Sequence, residues 1–369
     1  MGPTILFDKS AIQSLGQAAL QEISRYFYTV VPPVLLMEIL ADLSLTPNDV
    51  QGAKKKVADI ANKVFPIDSI ANAHCHLMCV HNLLGDVVPM TRVPAICGAR
   101  PVVAKDGSNG IFIDVQPENE AVMRWRNGQF NQDDLACAIQ WRTNANRSNL
   151  EEMKKLLPKL PGNFRTGEQV KQVVDGMLSQ PEFQEALLHW FINLLHCDSE
   201  TRQRIVSRWQ KSMTRSLAIF APYAHHCLRV QLIFYMGMMQ NVFGTRPSNI
   251  VDLEYLSYTP FVQIFCSGDK LHKQLAPMIL NDDQSFVSRD EMHRALTEMA
   301  DARVVASNAQ PSEQSLIRQL WLKHGNLEPP TAVRRTISEN VSKLIMESAK
   351  PIMDALQEQE KRINPRFPV

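Results

Sequence analysis

Thr4-Ile5-Leu6-Phe7-Asp8-Lys9-Ser10 decides how the rest of the chain is read. A short apolar run without polar alternation suits a strand buried on both faces, as in a parallel sheet. It ends in a carboxylate. Ser10 is then expected to cap a helix through about Ile23, with Ile12, Leu15, Ala19 and Ile23 on one face. Phe27-Tyr28-Thr29-Val30-Val31 reads as a second strand. Pro32-Pro33 stops it and suits the start of a helix carrying Leu35, Leu36, Glu38, Ile39, Leu40 and Leu43. Strand, helix, strand, helix within 43 residues predicts an α/β unit around a parallel sheet.

Farther out the sequence changes character. From Thr46 to about Phe243 helical periodicity dominates, with helices expected over 48–63, 68–84, 117–127, 131–144, 148–157, 167–177, 181–195, 199–219 and 222–241. The stretch 86–116 is loop-like, with strand-like runs at 101–104 and 110–114. The α/β pattern returns near residue 250. A helix from Ile250 to Tyr258 precedes a strand over Phe261–Cys266, a turn at Ser267-Gly268-Asp269 and a helix over Lys270–Ile279. Ala302–Val305 reads as a last strand, and 310–363 as a charged helical tail.

The 369 residues are 45% hydrophobic, enough for a sizeable core. Thirty-nine Lys and Arg against 38 Asp and Glu exclude a basic coat that holds nucleic acid by net charge alone. A local site is not excluded, because residues 46–245 carry 22 basic and 18 acidic side chains. Seven scattered cysteines argue for a reducing compartment rather than a disulfide scaffold. No apolar run reaches membrane-spanning length and no signal-peptide pattern opens the chain. The expectation is a cytoplasmic protein with no membrane partner.

Asp8 and Asp269 fall at the C-terminal ends of predicted strands, where parallel α/β sheets bind ligands. Glu38 and Asp252 sit on helices whose N-termini would face that edge. Four such carboxylates repel one another unless a cation joins them, and an all-oxygen set suits Mg²⁺ or Mn²⁺. Helix capping is the competing explanation for acids in first turns. Elsewhere, His74-Cys75-His76-Leu77-Met78-Cys79-Val80-His81 holds zinc-type side chains. Helical spacing splits them between faces, so zinc is not expected. Arg124-Trp125-Arg126, Trp141-Arg142 and Arg208-Trp209 admit either base stacking or helix packing. Arg202, Arg204, Arg208, Lys211 and Arg215 make one basic helix suited to tracking a phosphate backbone.

The acidic elements resemble the PIN-domain ribonuclease superfamily, bacterial toxin type. Ile5–Ser10 is similar to that family's first strand and first metal-binding aspartate. Val31–Ile39 is similar to the second strand and the helix bearing its glutamate. Asn249–Leu256 matches the helix aspartate, and Phe261–Asp269 the strand with its terminal aspartate, 17 positions beyond Asp252. The family's further acid is absent, since Lys270, Leu271, His272 and Lys273 follow Asp269. The resemblance implies a three-layer PIN-like α/β fold with a central parallel sheet. It would be split into 1–45 and 220–308, with a mainly helical insertion over 46–219 and a helical tail over 309–369. It further implies an endoribonuclease with one or two Mg²⁺ or Mn²⁺ ions on Asp8, Glu38, Asp252 and Asp269. Ser10, Ser267, Lys270, Lys273, Arg204 and Arg208 are the expected substrate-side residues. The expected partners are RNA, structured RNA such as tRNA included, and an antitoxin or a second copy of the chain. The alternative is a catalytically inactive PIN-like scaffold that binds RNA or protein through its insertion.

Overall fold

The computed structural model describes residues 2–45, 49–64, 69–95, 99–103, 109–113, 117–147, 164–244, 246–325 and 328–329. The predicted helix 148–157 and the tail beyond 329 lie outside these residues. The protein is mainly helical around one five-stranded sheet in which every pairing is parallel. Its strands are β1 (Thr4–Phe7), β2 (Tyr28–Val31), β3 (Ser69–Ala71), β6 (Ile264–Ser267) and β7 (Ser285–Ser288), in the order β3-β2-β1-β6-β7. β4 (Ala99–Val103) and β5 (Asn109–Ile113) form a separate antiparallel hairpin. The α/β class read from the sequence is what the chain adopts.

The sheet is the centre of the core. Ile5, Leu6, Phe7, Val30, Ile264 and Phe265 have no accessible surface. That is why these strands are unbroken apolar runs rather than alternating ones. The order matters more than the count. The chain lays strands outward from β1 through β2 to β3, then returns to the other side of β1 with β6 and β7. The reversal lies between β1 and β6, and the crevice beyond the carboxyl ends of such a strand pair is where open α/β sheets bind ligands.

Several expectations are corrected here. Asp8, not Ser10, is the N-cap of α1 (Lys9–Ser14), its side chain accepting from the Ala11 amide at 2.7 Å. The helix expected to reach Ile23 breaks at Leu15-Gly16 and restarts as α2 (Gln17–Tyr26). The predicted helix 68–84 begins as strand β3. Only Cys75–Leu84 is helical, as α5. β3 therefore joins the sheet from inside the span assigned to the insertion, and the α/β unit is not confined to 1–45 and 220–308. Ala302–Val305 is not a strand. It is the end of α15 (Arg289–Val305), launched by a capping box between Ser288 and Glu291. The last strand is β7.

The remaining helices are α3 (Pro33–Leu40), α4 (Val50–Val64), α6 (Pro117–Arg126), α7 (Gln132–Arg147), α8 (Gly167–Ser179), α9 (Gln184–Leu194), α10 (Ser199–Lys211), α11 (Leu217–Phe220), α12 (Pro222–Met239), α13 (Asn249–Leu256), α14 (Lys270–Ile279) and α16 (Leu316–Gly325). Residues from the predicted insertion, such as Val57, Leu188 and Ile205, share one continuous apolar cluster with the sheet. Among the described residues no helix is long and apolar enough to cross a membrane.

Candidate acidic site

Asp8 leaves the end of β1 with both carboxylate oxygens engaged. Oδ1 accepts from the Ala11 amide and Oδ2 from the Ser267 hydroxyl at 2.5 Å, while the Ser10 hydroxyl lies 3.0 Å from each. Burial pushes its pKa up, but His272, Ser267 and the Ala11 amide outweigh that, and the net shift is downward. Asp8 is thus held as a carboxylate.

Ser267 ends β6 and is the hub of this edge. Its hydroxyl meets Asp8, accepts from the Asp269 amide at 2.9 Å and lies 2.7 Å from His272 Nδ1. Asp269 caps α14 by accepting from the Leu271 amide at 2.6 Å. Arg246 approaches Asp269 Oδ2 at 3.9 Å. Glu38 lies in the second turn of α3 rather than at its start, and its Oε2 accepts from the Tyr255 hydroxyl at 2.7 Å. Burial raises its pKa, opposed by Lys9 and Tyr255 and reinforced by Asp8 and Asp42. Lys9 bonds to the buried Asp42 at 2.7 Å and to the Glu38 carbonyl at 2.9 Å, so its charge sits beside the acids.

Asp252, in the first turn of α13, is the frustrated member. Its Oδ2 is buried without a hydrogen-bond partner. Burial raises its pKa to about 7, with His272 opposing and Asp269, Glu38 and Asp8 adding to the rise. The other three predicted acids therefore all act on this one carboxyl group. Among the described residues, no three His, Cys, Asp or Glu side chains stand close enough to share an ion. In chemistry the donor set suits a hard cation, being all carboxylate oxygen with one oxygen orphaned, though the acids would have to draw closer to share it.

The predicted substrate residues divide. Lys270 and Lys273 are exposed on the first turn of α14, next to Asp269. Ser10 stays on the acidic edge, where its hydroxyl also accepts from the Gly268 amide at 3.2 Å. Ser267 is 2% exposed and fully engaged, so it positions Asp8 and does not meet substrate. Arg208 is consumed by structure. It donates to the carbonyls of Leu83 at 2.8 Å and Phe220 at 3.0 Å and stacks 3.9 Å over the Phe220 ring. Arg204 and Lys211 line a groove of about 820 Å³ with Gln203, Ser207, Phe220 and Leu84. Leu84 ends α5, whose other end meets α13 and its C-cap turn through Cys75 and Tyr258. Ten helical residues separate those ends by about 15 Å. The basic groove is thus not brought to the acids.

Trp125 and Trp209 are 4% and 1% exposed, which places them in helix packing rather than base stacking. The histidine–cysteine stretch also disperses. His76 Nε2 bonds the Leu195 carbonyl at 2.7 Å, His81 Nδ1 pairs with Asp86 at 2.7 Å, and Cys75 Sγ donates to Glu254 at 3.6 Å.

Gly268 supplies a direct test of the edge. A Cβ there would stand 2.6 Å from Ser10 Oγ and 3.1 Å from Arg289 Cδ. Gly268→Ala should displace Ser10 from Asp8 and, if this edge takes a cation, weaken Mn²⁺ binding by about tenfold, the scale on which partners of metal-ligating groups act. Calorimetric titration with Mn²⁺ measures it, and unchanged affinity would show that Ser10 does not hold Asp8 in a binding-ready position.

The sequence reading missed His272, Tyr255 and Lys9, which connect the acids. The chain matches no protein-family model, no curated protein and no solved structure.

Proposed function

We propose that this chain is a PIN-like, Mg²⁺- or Mn²⁺-dependent endoribonuclease acting at the carboxyl end of β1 and β6. The observation that carries the reading is Asp252. Its buried oxygen has no hydrogen-bond partner, and Asp269, Glu38 and Asp8 are near enough to raise its pKa, two of them following the strands β1 and β6 between which strand order reverses. Natural sequences rarely leave such a group uncompensated unless something else satisfies it.

Asp8, Glu38, Asp252 and Asp269 would have to close further to hold the ion, which would supply Lewis acidity to the phosphodiester and lower the pKa of a bound water. Ser10, Ser267 and the Ala11 amide keep the Asp8 carboxylate aimed. Tyr255 does the same for Glu38. Lys270 and Lys273, exposed on the first turn of α14, would meet phosphates beside Asp269. RNA, with structured RNA such as tRNA as a candidate, is the substrate class. An antitoxin or a second copy of the chain remains a proposed partner.

The test is cleavage of total RNA across a Mn²⁺ titration, with end-group analysis. Mn²⁺-dependent products carrying 5′-phosphates, lost on chelation, are expected. Products formed equally well in chelator would sink the proposal.

One observation favours the inactive-scaffold reading: the Asp8 oxygens are already engaged. On that reading the chain binds RNA and takes up no Mn²⁺. In either case Arg204 and Lys211 should contribute to RNA affinity as phosphate contacts. Replacing both with alanine should make the slope of log K against log salt shallower by about 2. Filter binding over a salt series measures this, and an unchanged slope would remove the groove from the RNA path.

A further inference from the structure

His272 has no accessible surface, and both of its ring nitrogens are spent. Nδ1 lies 2.7 Å from Ser267 Oγ and 3.6 Å from Asp8 Oδ2. Nε2 lies 2.6 Å from the backbone carbonyl of Asp252 and must donate there, because a carbonyl only accepts. The ring is fixed edge-to-face by Tyr255, 5.6 Å between centroids, and Phe265, 5.0 Å. Tyr255 is the residue that donates to Glu38.

One side chain therefore spans the two halves of the acidic edge. On one side is β1 with β6, carrying Asp8 and Ser267. On the other is α13, carrying Asp252. That helix has only eight residues, and its N-cap Ser248 makes no side-chain capping bond, so its own ends anchor it weakly. The Nε2 bond lands on the backbone of Asp252 itself. A ring with no exposed atom cannot touch substrate, which excludes a direct catalytic part.

We propose that His272 is a positioning residue: it sets the separation of Asp8 and Asp252, and through it the affinity of the acidic edge for a divalent cation. The inference rests on the ion-binding part of the proposed function. It accounts for a fully buried histidine in the first turn of α14, five positions past the end of β6. There it braces the acids rather than adding to them.

The experiment is Mn²⁺ titration of the full-length protein by calorimetry and by loss of the free-ion paramagnetic signal. Wild type is compared with His272→Phe and His272→Gln, each checked for wild-type melting behaviour. RNA affinity is measured in parallel without divalent ions. His272→Phe keeps the aromatic packing but loses both bonds, so Mn²⁺ should bind about 10–100-fold more weakly, with metal-free RNA affinity unchanged. His272→Gln keeps a polar reach toward only one partner and should lose less. A general loss of packing would not move Mn²⁺ affinity while sparing RNA binding. Wild-type Mn²⁺ affinity in folded His272→Phe overturns the inference. If that variant fails to fold, wild-type affinity in His272→Gln overturns it. A wild-type protein that binds no Mn²⁺ overturns both this and the nuclease reading. Mn²⁺ binding that weakens in the variants, without any RNA cleavage, supports His272 and removes the nuclease alone.

Discussion

Asp8→Asn should reduce Mn²⁺-dependent RNA cleavage by about 10²–10³-fold, equivalent to about 3–4 kcal/mol of transition-state stabilisation. The fold should survive the change. Asparagine is as good an N-cap as aspartate, and its carbonyl oxygen can still accept the Ala11 amide that starts α1. Ser267 can accept from the new amide where it now donates to Oδ2. What disappears is the charge that burial works against and that His272, Ser267 and the Ala11 amide together preserve. The substitution therefore separates the capping role of Asp8 from its proposed ion-binding role. Initial rates on total RNA, with melting curves as control, measure it. Undiminished cleavage by Asp8→Asn would leave Asp8 as a helix cap and nothing more.

The dual role explains what could be read from the sequence. An apolar run ending in Asp or Ser-Gly-Asp signals both a strand end and a helix start, so Asp8 and Asp269 were placeable without a structure. α14 begins and ends where the Lys270–Ile279 periodicity predicts. β3 and β7 were not legible. Three and four residues are too few to establish a period, and Ser285-Phe286-Val287-Ser288 gains strand character only from pairing with β6. Val304-Val305 has high strand propensity but lies on a 17-residue helix with a strong cap, and both residues stay exposed at 87% and 90%. The links between acids were hidden for another reason. His272 and Tyr255 have no sequence partner at helical or strand spacing. They acquire meaning only when the sheet brings residues 8, 38, 252 and 267 together.

The second large effect is expected at Asp252, and it runs in opposite directions with and without divalent ions. Its carboxyl has a folded pKa of about 7 against an ordinary value of 3.8. Between those two values the folded chain holds a proton that the unfolded chain has released. Stability therefore falls as pH rises from about 4 to about 7, and the full penalty persists above that window. Asp252→Asn removes the ionisation. The variant should melt near wild type at about pH 4 and about 2–4 °C higher at about pH 8, after discounting for the partial exposure of the residue. Millimolar Mn²⁺ should reverse the order. Wild type gains stability by binding the ion in the folded state only, whereas the variant has lost a ligand and gains little. Mn²⁺ affinity of wild type should also strengthen as pH rises toward 7, because the bound ion must displace the Asp252 proton. Thermal melts at both pH values, with and without Mn²⁺, decide the matter. If Asp252→Asn is the less stable protein at about pH 8 in chelator, the carboxylate is satisfied without an ion and the acidic edge is not a cation site.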